Sequence, residues 1–199
     1  MKSKQIIIML ITIVFIFLAI AGLLMYRLRS SVKLLPDKEY TVSGELPLYR
    51  QDDPEWAEDK LGDSVYTMES SGCLVTCIAS AVSGNGEQVT PGELNRLFSA
   101  NAVYDGEGNL QWGKLDALDA YSVEVFNSVS LEDIQACLYA GHFPIVRVRM
   151  HGIGNFHYVL IVGSENGDFI CMDPLENEMS TLSDYAGRVY AVRCVWREE

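Results

Sequence analysis

The chain has 199 residues, enough for one domain with a well-filled core and an extension, and its formal net charge is −12. From residue 41 onward there are nine basic and 25 acidic side chains, a difference of −16, because six of the 15 basic residues and only two of the 27 acidic ones lie earlier. Such an acidic sequence excludes a nucleic-acid-binding surface and would be repelled by anionic lipid. We expect no nucleic-acid partner, and substrates that are neutral or basic.

An apolar segment opens the chain. Residues 6–25 carry no charge, and about 20 helical residues span a bilayer, so we predict a single-pass membrane anchor over residues 1–28. The alternative is a signal peptide and a secreted protein, because Ala19-Ile20-Ala21 is typical of a cleavage site. Basic residues flank both ends, so the positive-inside rule does not choose an orientation. We expect the domain outside the cytoplasm, as is usual when a short N-terminal tail precedes the anchor.

Residues 29–45 mix charged residues with Ser, Pro and Gly and are predicted to form a juxtamembrane linker. A domain over residues 46–199 follows, and its first half has the spacing and capping signals of helices. The predicted helices are one that contains Cys73 to Val82, one opened by the capping box Thr90-Pro91-Gly92-Glu93, one over residues 112–121, and one from Ser130 to Gly141.

The second half of the domain is predicted to form strands, because runs rich in β-branched and aromatic residues recur there. These runs are residues 144–150, 157–163, 169–172 and 188–196. Helices followed by antiparallel strands define an α+β domain, with the helices of the first half packed on a sheet from the second half.

The five cysteines do not have the even count and dense spacing of a disulfide framework. Cys137, Cys171 and Cys194 lie in apolar sequence and are predicted to be buried, free thiols. Cys73 and Cys77 form a C-x-x-x-C pair with no second pair to complete a zinc site. We therefore predict no metal and no cofactor.

Cys73 follows the small residues Ser70, Ser71 and Gly72, and either serine is a suitable N-cap. Cys73 would then lie in the first turn of its helix, where the helix dipole stabilises a thiolate over a thiol. A structural cysteine remains the alternative unless a partner base lies nearby.

His157 is the histidine best placed to be that base, because it opens a predicted strand. A four-residue turn, 164–167, joins this strand to the segment that ends in Asp173. Strict antiparallel pairing puts Asp173 opposite Tyr158, so a one-residue offset is needed to bring it to the face of His157. A carboxylate there would fix the imidazole tautomer and stabilise the imidazolium. The other two histidines are His142, at a helix end, and His151, in a glycine-rich loop.

Thiol attack on an amide also requires a donor for the developing oxyanion. Gln51 lies upstream of Cys73 in LYRQDDPEW, after a short apolar segment, and its side-chain amide can donate. Alone it would be an ordinary loop residue.

The chain resembles the C39-like peptidase family, bacterial domains with a papain-like cysteine peptidase fold. The segments that carry the resemblance lie between residues 46 and 173: PLYRQDDPEWAEDKLG, TMESSGCLVTCIAS, TPGELN, NLQW, HYVLIVG and DFICMDP. The resemblance implies a membrane-anchored thiol protease that hydrolyses peptide bonds of a peptide or protein substrate. In it Cys73 would be the nucleophile, His157 the general base, Asp173 the residue that orients it, and Gln51 the oxyanion donor.

Two alternatives to a peptidase remain. The same residues would serve a thiol amidase or transpeptidase that acts on cell-wall peptides. A domain of this fold can also be a non-catalytic binding module, because fold alone does not establish function.

Overall fold

The computed structural model describes residues 2–41, 46–84 and 87–198. The chain divides into two compact units, Met1–Ser31 and Val32–Glu199. The first unit contains helix α1 (Lys2–Leu28). Its residues Ser3–Leu28 are long and apolar enough to cross a membrane, and a signal sequence near the N-terminus would meet the same criteria.

The second unit contains five further α-helices and nine strands among its described residues. The helices are α2 (Met68–Ser71), α3 (Cys73–Ser83), α4 (Pro91–Ala100), α5 (Trp112–Asp116) and α6 (Leu131–Tyr139). The strands are β1 (Val32–Lys33), β2 (Tyr40–Thr41), β3 (Tyr121–Val125), β4 (Pro144–Arg149), β5 (Phe156–Glu165), β6 (Asp168–Met172), β7 (Ser180–Thr181), β8 (Arg188–Val189) and β9 (Ala191–Arg197). Short 3-10 helices cover Met150–Gly152 and Leu182–Tyr185.

The main sheet is antiparallel, in the order β3-β9-β4-β5-β6-β7, with β2 paired to β5. Strand β1 pairs separately with β8. The α+β prediction is therefore confirmed. Strands β1 and β2 lie within the predicted linker and pair with strands of the second unit; residues 42–45, the end of that linker, lie outside the described residues.

The predicted capping boxes explain where two helices begin. Thr90 Oγ1 accepts from the Glu93 N–H at 3.2 Å, while the Glu93 carboxylate accepts from the Thr90 N–H at 2.8 Å. Ser130 and Asp133 form the same reciprocal pair at the start of α6, at 3.1 and 2.9 Å. Each pair satisfies two backbone donors that a helix start leaves open.

The third predicted helix was too long. Helix α5 ends at Asp116, whose carboxylate accepts from the Val123 N–H at 3.0 Å and so holds the chain in a turn. The alternating residues that begin at Tyr121 then pair with β9 rather than continue the helix. The last predicted strand is also interrupted, at Tyr190, whose N–H donates to the Arg147 carbonyl at 2.8 Å.

The prediction that Cys137 and Cys194 are free thiols was wrong: they form a disulfide that joins α6 to β9. The two residues are 57 positions apart, and only the packing of α6 on the sheet brings their Cα atoms to 6.1 Å. No local spacing indicates such a pair. Cys171 is buried and free, as predicted.

Hydrophobic residues pack in two clusters, and helix α3 packs on β5 and β9 in one of them. Residues Val75, Ile78 and Val82 of α3 are buried there. The first turn of α3 lies where β5 begins: the Cys77 thiol donates to the Tyr158 carbonyl at 3.5 Å, and Cys73 interacts with His157. This places the start of α3 beside His157.

Candidate active site

A tight junction between two helices places Cys73. The prediction that Ser70 or Ser71 caps the helix of Cys73 was wrong, because both serines belong to α2 and the N-cap of α3 is Gly72, which has no side chain to donate or accept. Thr67 caps α2: its hydroxyl accepts from the Ser70 N–H, and Ser70 Oγ accepts from the Thr67 N–H at 2.9 Å. Gly72 then separates α2 from α3, and a Cβ atom there would lie 2.5 Å from the Met68 carbonyl oxygen. Glycine is required at this close approach. It brings half-buried Cys73 to the first position of α3.

His157 and Asp173 form a buried pair in which His157 Nε2 lies 2.7 Å from Asp173 Oδ1. Their exposed fractions are only 4% and 2%. Because Asp173 binds Nε2, the ring nitrogen of His157 that remains for another partner is Nδ1.

A β-bulge supplies the offset that this pairing needs. The turn after β5 has two residues, Asn166 and Gly167, both at positive φ, rather than the four predicted. The register then shifts between Ile161 and Gly163, so that Leu160 pairs with Met172. One step further, Asp173 comes opposite Val159, on the same face of β5 as His157.

The charges of the pair are mutually stabilised. Burial favours a neutral imidazole, but the hydrogen bond to Asp173 and the interaction with Cys73 outweigh it and raise the pKa of His157 to about 9. For Asp173, burial acts to raise the pKa, and the hydrogen bond and charge of His157 overcome it, so the pKa lies below its usual value. The pair therefore favours the imidazolium–carboxylate form at neutral pH.

Tyr185 is a site residue that the sequence analysis missed. Its hydroxyl donates to Asp173 Oδ2, and the Leu175 N–H donates to Asp173 Oδ1 at 2.8 Å. Tyr185 is buried and belongs to a 3-10 helix that follows β7. No local pattern in the sequence identifies this contact, because it depends on how the chain after Asp173 folds back.

Gln51 connects the two halves of the site. Its backbone N–H donates to the Pro174 carbonyl at 3.0 Å, next to Asp173, and its side-chain Nε2 donates to the Glu69 carbonyl at 2.6 Å, just before Cys73. The amide group is buried and its Oε1 has no hydrogen-bond partner. Nε2 carries two hydrogens, so one remains for a further acceptor.

The tryptophan of the Q-D-x-x-W segment has a structural role. The Trp56 indole N–H donates to the Arg50 carbonyl at 2.8 Å, and the backbone N–H of Trp56 donates to the Asp53 carbonyl at 3.0 Å. Trp56 is itself buried in the core. The tryptophan thus holds the turn that carries Gln51.

The surroundings of Cys77, His142 and His151 differ from those of Cys73 and His157. Cys77 is fully buried, its thiol donates to the Tyr158 carbonyl at 3.5 Å, and burial raises its pKa well above the usual value. The His142 ring stacks on Trp196 at 4.8 Å, and His151 is exposed in a 3-10 turn. Within the described ranges, no three His, Cys, Asp or Glu side chains form a group that could hold a metal ion.

A groove of about 430 Å³ extends from Cys73. Aromatic and aliphatic side chains line much of it, among them Tyr66, Leu74, Tyr104, Trp112 and Tyr158. A groove of this size and character can hold a short stretch of extended peptide.

A helix that starts at a cysteine, packed on an antiparallel sheet that carries a histidine and an aspartate, is the architecture of the papain-like cysteine peptidase fold. The chain matches the Peptidase_C39 like family over residues 44–198 and belongs to that family. The resemblance found in the sequence is thereby confirmed, and the family indicates a cysteine peptidase.

A solved structure shows the same fold. It is the crystal structure of a Bacillus anthracis protein assigned to the C39-like peptidases, with a TM-score of 0.53 and 14% sequence identity; the match covers 82% of this chain and 98% of that chain. The predicted fold class is thus confirmed. Comparison with curated protein sequences gives no match.

Proposed function

We propose that this protein is a cysteine peptidase in which Cys73 is the nucleophile, His157 the general base and acid, and Asp173 the residue that orients the imidazole. The observation that carries the proposal is the 2.7 Å contact of His157 Nε2 with Asp173, which leaves Nδ1 for the thiol at the start of α3.

The reaction follows from these positions. His157, as the imidazolium, holds the proton that the Cys73 thiol gives up, and the sulfur forms a bond to the peptide carbonyl carbon. When the tetrahedral intermediate collapses, the C–N bond breaks and the departing amine takes the proton from the imidazolium. Water, deprotonated by His157, then attacks the thioester, which releases the acid and restores the thiol.

The oxyanion of each tetrahedral intermediate needs donors in a site that excludes water. Gln51 Nε2 has one hydrogen beyond its bond to Glu69, and Gln51 is bonded to chain segments next to both Asp173 and Cys73. We assign Gln51 as an oxyanion donor, together with the backbone N–H groups at the start of α3.

We also propose a domain order and a location: an anchor over residues 1–28, a linker over 29–45, and a peptidase domain over 46–199 outside the cytoplasm. The Cys137–Cys194 disulfide supports this location, because disulfides persist in oxidising compartments. Retention of the protein in membranes through carbonate washes tests the anchor. A mature N-terminus at Gly22 would instead establish a cleaved signal peptide.

The catalytic proposal is tested with the full-length protein in detergent micelles and a peptide library. Cys73→Ala should abolish cleavage. The matched control is Cys77→Ala, one turn further along the same helix, which should retain cleavage because Cys77 is fully buried. Undiminished cleavage by folded Cys73→Ala protein would contradict the proposal.

A further inference from the structure

Two arginines lie next to the groove that begins at Cys73. Arg147 on β4 pairs directly with Tyr158, one of the groove residues, and Arg193 on β9 pairs with Ile145, two residues from Arg147. Residues that pair across antiparallel strands share a face, as do residues two apart on one strand. Tyr158, Arg147 and Arg193 therefore lie side by side on one face of three neighbouring strands.

Among the described residues, neither arginine forms an ion pair with a carboxylate, although this part of the chain is strongly acidic. Both are half-buried, and the Nε atom of each is buried without a hydrogen-bond partner, although Arg193 Nη1 donates to the Val192 carbonyl at 2.6 Å. Two neighbouring cations in a partly dehydrated place are costly unless an anion compensates them.

Tyr158 connects these charges to the reacting end of the groove, because it lines the groove together with Cys73. Burial raises the pKa of Tyr158, the charges of Arg147 and Arg193 oppose this rise, and the Cys73 thiol adds to it. The Tyr158 phenol is thus within electrostatic range of both arginines and of the nucleophile.

Aromatic rings hold both guanidinium groups in place. Arg147 lies over the Phe156 ring at 4.3 Å, and Arg193 lies over the Trp112 ring at 5.4 Å. Trp112 also lines the groove. Stacked guanidinium groups lose little freedom when they bind an anion, and their planar N–H pairs match a carboxylate.

We propose that Arg147, Arg193 and the Tyr158 hydroxyl form a binding site for a carboxylate group of the peptide substrate. The inference rests on the proposed peptidase function and narrows its substrates to peptides with an acidic group near the cleaved bond. The carboxylate comes from an acidic side chain or from the C-terminus of the peptide. This local site reverses the expectation, drawn from net charge alone, that substrates are neutral or basic.

The test uses full-length Cys73→Ala protein in detergent micelles, so that peptides bind without turnover, and isothermal titration calorimetry. Four pools of short N-acetylated peptides are compared: neutral with a free C-terminus, neutral with a C-terminal amide, and amidated with one internal Glu or one internal Gln. The free-acid pool or the Glu pool should bind at least about 10-fold more tightly than its neutral match. The pool that does so identifies the source of the carboxylate.

Variants then assign the preference to the two arginines. Arg147→Gln and Arg193→Gln should each remove it, whereas Arg147→Lys, which keeps the charge, should retain part of it. Arg96→Gln is the matched control, because Arg96 is exposed and lies on α4; it should leave the preference unchanged. Circular dichroism checks that each variant is folded.

The outcomes separate this site from the peptidase proposal. Equal binding of all four pools, or no binding of any, would overturn the carboxylate site, even if the wild-type protein cleaves peptides. Tight binding of an acidic pool that wild-type protein does not cleave would overturn the peptidase proposal and leave the carboxylate site in place.

Discussion

The hydroxyl of Tyr185 donates to Oδ2 of Asp173, the same carboxylate whose Oδ1 lies 2.7 Å from His157 Nε2. Burial raises the pKa of Tyr185, and so does its bond to Asp173, so the phenol stays protonated and remains a donor. Together with the Leu175 N–H, it leaves neither carboxylate oxygen unpaired. We interpret Tyr185 as a positioning residue that acts on the imidazole through Asp173.

Tyr185→Phe should therefore retain the fold and lower kcat by about 10-fold or more, since a hydrogen bond to a charged group is lost. The loss of this donor should also raise the pKa of Asp173 and shift the acid limb of the pH–kcat/KM profile to higher pH. Tyr121→Phe, a buried tyrosine of β3, is the control. A lower thermal stability with an unshifted acid limb would show that Tyr185 is only structural.

The alkaline limb should report His157. Because its pKa is raised from 6.5 to about 9, the imidazolium that protonates the departing amine persists at neutral pH and is lost above that value. We expect kcat/KM to fall as the pH rises through about 9. The free energy of unfolding should change in the same direction as kcat/KM. The stabilisation from the His157–Asp173 pair is fully present below pH 6.5 and is lost as the pH rises through about 9.

Asp173→Asn tests the cause of this shift. Asparagine still offers an oxygen to the imidazole but carries no charge, so the pKa of His157 should fall and the alkaline limb should move down by about one unit or more. Titration of the His157 ring by NMR in both proteins provides the measurement. An alkaline limb that stays in place would contradict the assigned pairing.

The parts of the site that the sequence predicted are those with local signals. A glycine before a helical pattern indicated Cys73, and two strands joined by a short turn brought His157 and Asp173 to one end of the sheet. The sequence also showed that a one-residue offset between the two strands was needed, but it did not show that a β-bulge supplies it. The bulge near Val162 depends on the packing of β5 and β6 rather than on any turn residue.

The sequence did not predict contacts between segments that are far apart along the chain. Tyr185 reaches Asp173 only because the chain folds back after β7, and the Cys137–Cys194 disulfide joins a helix and a strand 57 residues apart. The extent of α5 was overestimated because the residues up to Tyr121 favour a helix locally. Pairing with β9 overrides that preference, since it buries Tyr121 and Val123 against the core.

The disulfide should contribute to stability through the loop that it closes. Constraint of a 57-residue separation in the unfolded chain corresponds to about 4 kcal/mol by chain entropy. Cys137→Ser or Cys194→Ser should lower the thermal midpoint, and the double variant should be no less stable than either single one. Cys171→Ser is the control, a buried free cysteine. Equal midpoints with and without reductant would contradict the prediction.

The two cysteines of α3 should differ in reactivity. Half-buried Cys73 lies beside the His157 imidazole, whereas Cys77 is fully buried and its pKa is raised well above normal by burial. Iodoacetamide should therefore label Cys73 selectively in the folded protein and inactivate it. Peptide mapping by mass spectrometry gives the ratio of labelling. Comparable labelling of both sites before unfolding would count against Cys73 as the nucleophile.

The role of Gln51 can be separated from its structural hydrogen bond. Gln51→Ala removes the donor assigned to the oxyanion, so kcat should fall by about 10–1000-fold while KM changes little. It also removes the 2.6 Å bond to the Glu69 carbonyl, which should cost about 0.5–1.5 kcal/mol of stability.

Gln135→Ala is a matched control, because Gln135 Nε2 donates to the Tyr40 hydroxyl at 2.7 Å. This variant should lose comparable stability and retain the wild-type kcat. A peptide aldehyde, whose adduct with Cys73 places an oxygen where the oxyanion forms, should bind Gln51→Ala more weakly in proportion to the loss of kcat. If folded Gln51→Ala protein kept the wild-type kcat, the oxyanion would have to be held by backbone N–H groups alone.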